Sequence, residues 1–302
     1  MKKIVRFVLW NHLSMNISSL KDLSKSDDII IFAELEKELT YVKHHKQKLV
    51  FLLSSQREFA LSLKTKGYNV DYLFYNKKNP KNIYDYLKYI GDKHKPAKLV
   101  VVEPGEYRIL EEIKYAVSNL NINLDLKENN LFFCRLDEFN EWSKDRKEIV
   151  MEYFYRYIRK KNNILMDGNK PLGNKWNYDS ENRKKIKDDT KIPSRTVFTP
   201  NNLCKEVIDL VEKNFPDHYG SIKNFLYATN KKQARIVLKA FIEERLHFFG
   251  DYQDAMLANY HWLFHSHISM YLNNGLLEPF EVVNQVMEAM HQYSLPINSV
   301  EG

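Results

Sequence analysis

Over residues 1–130, short apolar runs alternate with stretches whose apolar residues fall three or four apart, and this alternation constrains the fold more than any other feature. Ile4 to Leu9 (IVRFVL), Asp28 to Phe32 (DIIIF), Val70 to Tyr75 (VDYLFY) and Lys98 to Val102 (KLVVV) read as buried strands, with Asn123 to Leu126 a weaker fifth. Between them, Leu49, Leu52, Leu53, Phe59, Ala60 and Leu63 mark a helix that Gly67 closes, and Ile109, Leu110, Ile113 and Val117 repeat the pattern over Glu106 to Leu120. Strands that alternate with helices pair in parallel, because a parallel neighbour is reached only through a crossover, and the crossover helices cover both faces. Ligands of such sheets sit beyond the carboxyl ends of the strands. Those ends are Trp10-Asn11-His12, Ala33-Glu34 and Glu103-Pro104-Gly105-Glu106.

From about Leu136 the pattern becomes helical. Glu148 to Lys161, Asn202 to Asn214, Lys231 to Phe249, Tyr252 to Asn273 and Pro279 to Tyr293 are expected helices, and the polar, basic stretch from Asp167 to Pro200 is an expected connector. The fold class expected is therefore an α/β parallel-sheet domain followed by an all-α part.

Composition narrows the chemistry. Nine glycines stand against 19 tyrosines and 17 phenylalanines, and neither G-x-G-x-x-G nor G-x-x-x-x-G-K-[ST] occurs, so a phosphate here must be held by hydroxyls, cations or helix ends. Two cysteines, Cys134 and Cys204, are too few for a disulfide framework or a four-cysteine iron–sulfur or zinc site. His261 and His265 are four apart on an expected helix, but Trp262 stands where a zincin needs its glutamate, and no metal site is expected. A formal net charge of +7 favours an anionic partner such as nucleic acid or a phosphorylated cofactor. The start has no small-residue cleavage site and no window is apolar enough to span a bilayer, so a soluble, cytoplasmic protein is expected, with no membrane partner.

The segment His265-Ser266-His267-Ile268-Ser269-Met270-Tyr271-Leu272-Asn273-Asn274-Gly275-Leu276-Leu277 is the most informative. Serines three apart share one side of a helical turn, so Ser266 and Ser269 with free backbone N–H groups suit a phosphate. A serine cap above a core of Ile268 and Leu272 accounts for the same spacing.

This segment resembles the S-x-L-S-x-x-L-x-x-G-x-L motif of the photolyase/cryptochrome family, with Ser266, Ile268, Ser269, Leu272, Gly275 and Leu277 at the motif positions. Further blocks resemble its bacterial photolyase-related branch, which is similar to prokaryotic (6-4) photolyases carrying an iron–sulfur cluster. They are Tyr41 to Lys48 (YVKHHKQK), Phe154-Tyr155-Arg156 with Leu165-Met166, Trp176-Asn177-Tyr178-Asp179 with Glu181 to Lys184, Phe215-Pro216, Phe249 to Met256 (FGDYQDAM) and Asn298 to Gly302 (NSVEG). Leu9 to Leu13 replaces a small-acidic turn, and Phe225 to Asn230 (FLYATN) replaces F-W-P-x-T-R.

The resemblance implies a Rossmann-like antenna-binding domain over 1–130, a connector with helices over 131–200 and the N-terminal part of a helical FAD-binding domain over 201–302. It implies FAD held by Tyr252, His265, Ser266, His267, Ile268, Ser269 and Asn274, and a lumazine-type antenna near Glu34, Asn11 and His12. Glu34 as an ordinary solvent-facing carboxylate, and His44-His45 as a solvated segment, are the plain readings. DNA with pyrimidine photolesions is the implied partner, met by Arg156, Arg159, Lys160, Arg183 and Lys184; a solvated charged surface is the alternative. In the family, S-V-E-G leads into a helix with W-R-E, further flavin-cavity helices and the cluster cysteines. The resemblance thus implies an incomplete lone chain whose FAD is weak or absent, no iron–sulfur cluster, catalytic residues that stay unknown, and a second chain as a possible supplier of the missing helices. A non-enzymatic nucleotide- or partner-binding module and a cryptochrome-like light sensor are the other readings of function.

Overall fold

The computed structural model describes residues 3–187 and 189–302, which group into two compact units. The first holds the chain to Leu131 with Val197–Lys231 and Asn273–Leu276; the second holds Phe132–Thr196, Lys232–Leu272 and Leu277–Gly302.

In the first unit, β1 (Ile4–Phe7), β2 (Asp28–Ala33), β3 (Val70–Leu73), β4 (Lys98–Val102) and β5 (Leu124–Lys127) form one parallel sheet in the order β3-β2-β1-β4-β5. The expected strands are all present, but β1 and β3 stop at Phe7 and Leu73, two residues short of the ends of their apolar runs, and β5 lies one residue later than expected. Side-chain alternation divides the core. Ile29 and Ile31 join Val5, Phe7, Leu99 and Val101 in a cluster with Ile83, Leu87, Ile109 and Ile113. Phe32 points the other way, with its ring 6.1 Å from Phe59.

Four helices accompany the sheet: α1 (Glu36–Thr40), α2 (Lys46–Thr65), α3 (Ile83–His94) and α4 (Tyr107–Asn119). Gly67 follows α2 with a φ of +81°, a conformation that costs glycine nothing. The sequence reading passed over α3, which starts where the Asn82 side chain accepts from the Asp85 N–H at 2.9 Å.

The second unit opens with α5 (Leu136–Ser143) and α6 (Met151–Asn162). Phe154 joins them, with ring centroids 4.9 Å from Trp142 and 5.2 Å from Phe139. A two-stranded hairpin follows, β6 (Met166–Asp167) against β7 (Lys170–Pro171). The next helix, α7 (Asn202–Asn214), packs on α2, so residues 197–231 go with the sheet instead of opening the helical part at residue 201.

The remaining helices are α8 (Lys231–Glu244), α9 (Leu246–Tyr252), α10 (Ser269–Asn273), α11 (Pro279–Gln292) and α12 (Ile297–Glu301). The helix expected over Lys231 to Phe249 breaks at Arg245. The helix expected over Tyr252 to Asn273 exists only as its last five residues. Residues 253–268 run through turns and bends, with Asn259, Leu263 and His267 at positive φ. Tertiary packing accounts for the departure: Phe264 is buried, 5.2 Å from Tyr252 and 5.5 Å from Phe248, ring to ring.

Several family-like blocks, far apart in sequence, meet at α12. Tyr155 Oη donates to Glu301 Oε1 at 2.9 Å, and the Tyr178 N–H donates to Glu301 Oε2 at 3.2 Å. Asn298 Nδ2 donates to Asp251 Oδ1 and Asn182 Oδ1, at 3.1 and 3.2 Å. Ser299 Oγ donates to the His247 carbonyl at 3.0 Å and accepts from the Gly250 N–H at 2.9 Å. Among the described residues no helix is long and apolar enough to cross a membrane.

Candidate functional site

Two places collect the residues singled out from sequence, one in each unit. In the first unit a cleft of about 790 Å³, its open mouth included, lies beyond the carboxyl ends of β1, β2 and β4. Trp10 and Asn11 follow β1, Leu35 follows β2, and Pro104 and Glu106 follow β4. Lys48, Leu52 and Gln56 reach it from α2. Parallel strands end there with no ladder partner to extend them, so their loops are free to line a site.

The walls are mostly apolar. Asn11 Oδ1 is a buried acceptor with no donor, and Lys48 brings a cation to the lining. At the rim Arg108 makes a bidentate pair with Glu38, 2.8 and 2.7 Å, with its guanidinium 4.6 Å from the Tyr41 ring centroid. The Glu38 carboxylate raises the Arg108 pKa further, so the rim cation is permanent. An apolar slot bearing an unpaired acceptor and a cation fits a planar heterocycle with polar edges.

Glu34 lines the cleft, as expected, but its carboxylate is already engaged. It is 3% exposed, and its two oxygens accept from Arg57 Nε (2.6 Å), Arg57 Nη2 (2.9 Å), Tyr72 Oη (2.7 Å) and the Tyr75 N–H (2.7 Å). A carboxylate so saturated braces the ends of β2 and β3; it is neither solvent-facing nor free to take up a ligand. His12 is buried as well, with Nδ1 unpartnered, and burial pushes its pKa down to about 4. His44 is buried, and His45 caps α2 by accepting from the Gln47 N–H at 3.0 Å, so that pair is not solvated.

In the second unit, Tyr252, His265, Ser266, His267, Ile268 and Ser269 lie at or near the irregular stretch between α9 and α10. Ser266 is not in a helix. Ser269 is the first residue of α10, whose five residues are too few to offer a substantial dipole, so the expected helix-end seat does not form. Ile268 is buried core, as its plain reading had it. Asn274 belongs to the first unit, where it is fully buried and its carbonyl accepts from the Leu13 N–H at 3.0 Å.

Cations that the sequence reading missed complete this region. Arg195 lies 4.3 Å over the Trp262 ring, and Trp262 is 5.1 Å from the His267 ring. Arg245 is 2% exposed, bonds the Ser194 carbonyl through Nη2, and leaves its buried Nε without a partner. Its carboxylate partner is the half-exposed Glu244, 3.3 Å from Nη1. A donor set of two arginines, two histidines and two hydroxyls, with the buried Arg245 Nε unsatisfied, fits the pyrophosphate of a dinucleotide. No local pattern marks Arg195 or Arg245, because both arrive from outside the motif.

The basic residues divide. Arg159 is 3% exposed and donates to the carbonyls of Leu165 (2.7 Å), Ile164 (3.2 Å) and Trp176 (3.2 Å), so it is a packing residue and does not face DNA. Arg156 and Lys160 approach the Trp176 ring at 5.5 and 5.3 Å, and Arg156 also pairs with Glu152 at 2.8 Å. Arg183 is exposed, 3.8 Å from Asp254, while Lys184 pairs with Asp251 at 2.9 Å. Among the described residues no group of three or more His, Cys, Asp or Glu side chains converges to hold a metal.

The chain is similar to known proteins. A (6-4) photolyase of Agrobacterium fabrum is 38% identical over 296 residues, which are 98% of this chain and 58% of that protein. An uncharacterized protein of Acanthamoeba polyphaga mimivirus is 26% identical over 164 residues, 53% of this chain and 80% of that protein. The crystal structure of a bacterial class III photolyase from Agrobacterium tumefaciens superimposes with a TM-score of 0.57 at 11% identity, over 100% of this chain and 56% of that one, and so shares the fold. The chain thus spans little more than half the length of these two photolyases. The family described as deoxyribodipyrimidine photo-lyase-related protein matches residues 6–227, nearly the whole sheet unit and the start of the helical one. With its parallel sheet and the cleft at the strand ends, the chain belongs to the photolyase-related family.

Proposed function

We propose that the protein takes part in light-driven repair of pyrimidine photolesions in DNA as a flavoprotein, on the pattern of the (6-4) photolyase it resembles. The observation that carries this reading is the cluster around Trp262 and His267, next to Ser266, where two arginines and two histidines gather and the buried Arg245 Nε is unsatisfied. There Ser266 and Ser269 bind the FAD pyrophosphate, and Tyr252, His265 and His267 line its surroundings. FAD held there would, once reduced and photoexcited, lend the lesion an electron and take it back when the lesion has reverted. The cleft at the strand ends takes a lumazine-type antenna, with Asn11 Oδ1 accepting from a ring N–H and Lys48 meeting a polar edge. Arg156, Lys160, Arg183 and Lys184 contact DNA phosphates.

The test is a titration of the purified chain with FAD followed by flavin fluorescence, then blue-light repair of an oligonucleotide carrying a (6-4) lesion. Saturable flavin binding that Ser266→Ala with Ser269→Ala abolishes supports the reading. Flavin binding that the double variant leaves untouched overturns the site.

A further inference from the structure

We infer that Arg195, Arg245 and His267 form the charged seat for that pyrophosphate, and that His267 takes up a proton when the anion arrives; this rests on the flavin reading and adds a proton linkage to it. Three contacts tie these residues to one place. Arg245 holds the Ser194 carbonyl, which fixes the neighbouring Arg195. The Arg195 guanidinium lies over Trp262 at 4.3 Å. The Trp262 carbonyl in turn receives the His265 N–H at 3.2 Å and His267 Nε2–H at 3.0 Å. Ser266 sits between the two histidines.

The backbone supports this arrangement. His267 has a φ of +57°, outside the range a β-carbon prefers, and its ring folds back onto a carbonyl five residues earlier. With Nε2 committed as donor, the neutral ring carries its lone pair on Nδ1. Protonation converts Nδ1 into a second donor and places a full charge next to the anion.

Before the anion binds, that proton is disfavoured. Burial pushes the His267 pKa down, and Arg245, His265 and Arg195 lower it further, while its bond to the Trp262 carbonyl is the one opposing contribution. An arriving pyrophosphate carries several negative charges, which reverses the local field and favours the imidazolium. By linkage, a group whose pKa rises on binding makes binding tighter as pH falls through the interval between its free and bound values. The two guanidinium groups supply the part of the affinity that does not depend on pH.

The experiment uses the full chain and inorganic pyrophosphate, titrated calorimetrically at pH 5.5 and pH 8, while the ring C–H resonance of His267 is followed by NMR. Pyrophosphate titrates too, so the quantity read is the ratio between wild type and His267→Asn, in which the ligand's own protons cancel. The expectation is an affinity ratio that grows roughly tenfold from pH 8 to pH 5.5, a His267 resonance reporting a higher pKa in the complex, and weaker binding at both pH values in Arg195→Gln. Arg195 is half-buried where Arg245 is buried, so this variant keeps the test open even if Arg245→Gln fails to fold. FAD should displace the pyrophosphate and an oligonucleotide should not. Saturable FAD binding that ignores both His267→Asn and Arg195→Gln overturns this inference and leaves the flavin reading standing. Displacement by the oligonucleotide instead assigns the seat to DNA and overturns it as well. Binding of neither pyrophosphate nor FAD overturns both.

Discussion

The Arg57 guanidinium meets the Glu34 carboxylate side on, Nε to Oε1 at 2.6 Å and Nη2 to Oε2 at 2.9 Å, with 8% and 0% of the two side chains exposed. The pair joins α2 to the end of β2, and Tyr72 extends it to β3. Burying two charges is unfavourable until each is paired, and removing Arg57 leaves Glu34 with neutral donors only, without its counter-charge, in a medium that cannot solvate it. Arg57→Met is therefore expected to destabilise the protein by about 3–5 kcal/mol. Urea denaturation at neutral pH measures this, and a loss below about 1 kcal/mol would mean that water reaches Glu34.

His12 ties stability to pH. Asn129 Nδ2 donates to His12 Nε2 at 3.3 Å, and burial lowers the pKa to about 4, from an ordinary value near 6.5. A base with a depressed pKa in the folded state binds more protons unfolded, so stability is complete above pH 6.5 and declines as pH falls towards 4. The full decline amounts to roughly 3 kcal/mol. His12→Gln should flatten the stability profile over that interval, and a profile unchanged by the substitution would show that other groups set it.

Two glycines should respond oppositely to alanine. At Gly250 a β-carbon would lie 2.7 Å from both the Asn298 carbonyl carbon and the Ser299 nitrogen, where α9 and α12 pack backbone to backbone. Gly250→Ala is expected to lower stability by at least about 1–3 kcal/mol. Gly91 lies inside α3 with no atom within 4 Å of its β-carbon position. Gly91→Ala should raise stability by about 0.5–1 kcal/mol. Thermal melts of the two variants decide the matter, and a shift of the same sign in both would refute the packing argument.

For DNA the exposed cations are separable from the buried one. Neutralising Arg156, Lys160, Arg183 and Lys184 together should flatten the dependence of log affinity on log salt, by about 0.9 for each phosphate that no longer meets a cation. Arg159→Ala should instead lower the melting temperature, since it removes the Arg159 donors from the carbonyls of Ile164 and Trp176 and leaves that of Leu165 with the Leu172 N–H alone. An unaltered salt slope in the fourfold variant would mark these residues as solvated surface.

The sheet was legible because its signal is local. A strand buried on both faces reads as an unbroken apolar run, and β2 and β4 (DIIIFA and KLVVV) are such runs. The strand ends followed from the sheet, and with them the loops of Trp10, Asn11 and Glu106 that line the cleft. The S-x-x-S segment was legible as a motif, but its conformation was not. Spacing from Tyr252 to Asn273 fits a helix, yet burying Phe264 against Phe248 and Tyr252 outweighs the weak preference of the intervening residues.

By itself the sequence determined the parallel sheet, the place where its strand ends open into a cleft, and the kinship with photolyases. Tertiary structure alone decided the roles of the charged residues. A glutamate at a strand end and an arginine in a basic run carry the same letters whether solvated or buried. The distinction arises from what approaches them across the fold: Arg57 and Tyr72 for Glu34, the carbonyls of Ile164, Leu165 and Trp176 for Arg159. The cost of an unpaired buried charge forces such partners to be present, and they come from positions that no local pattern connects.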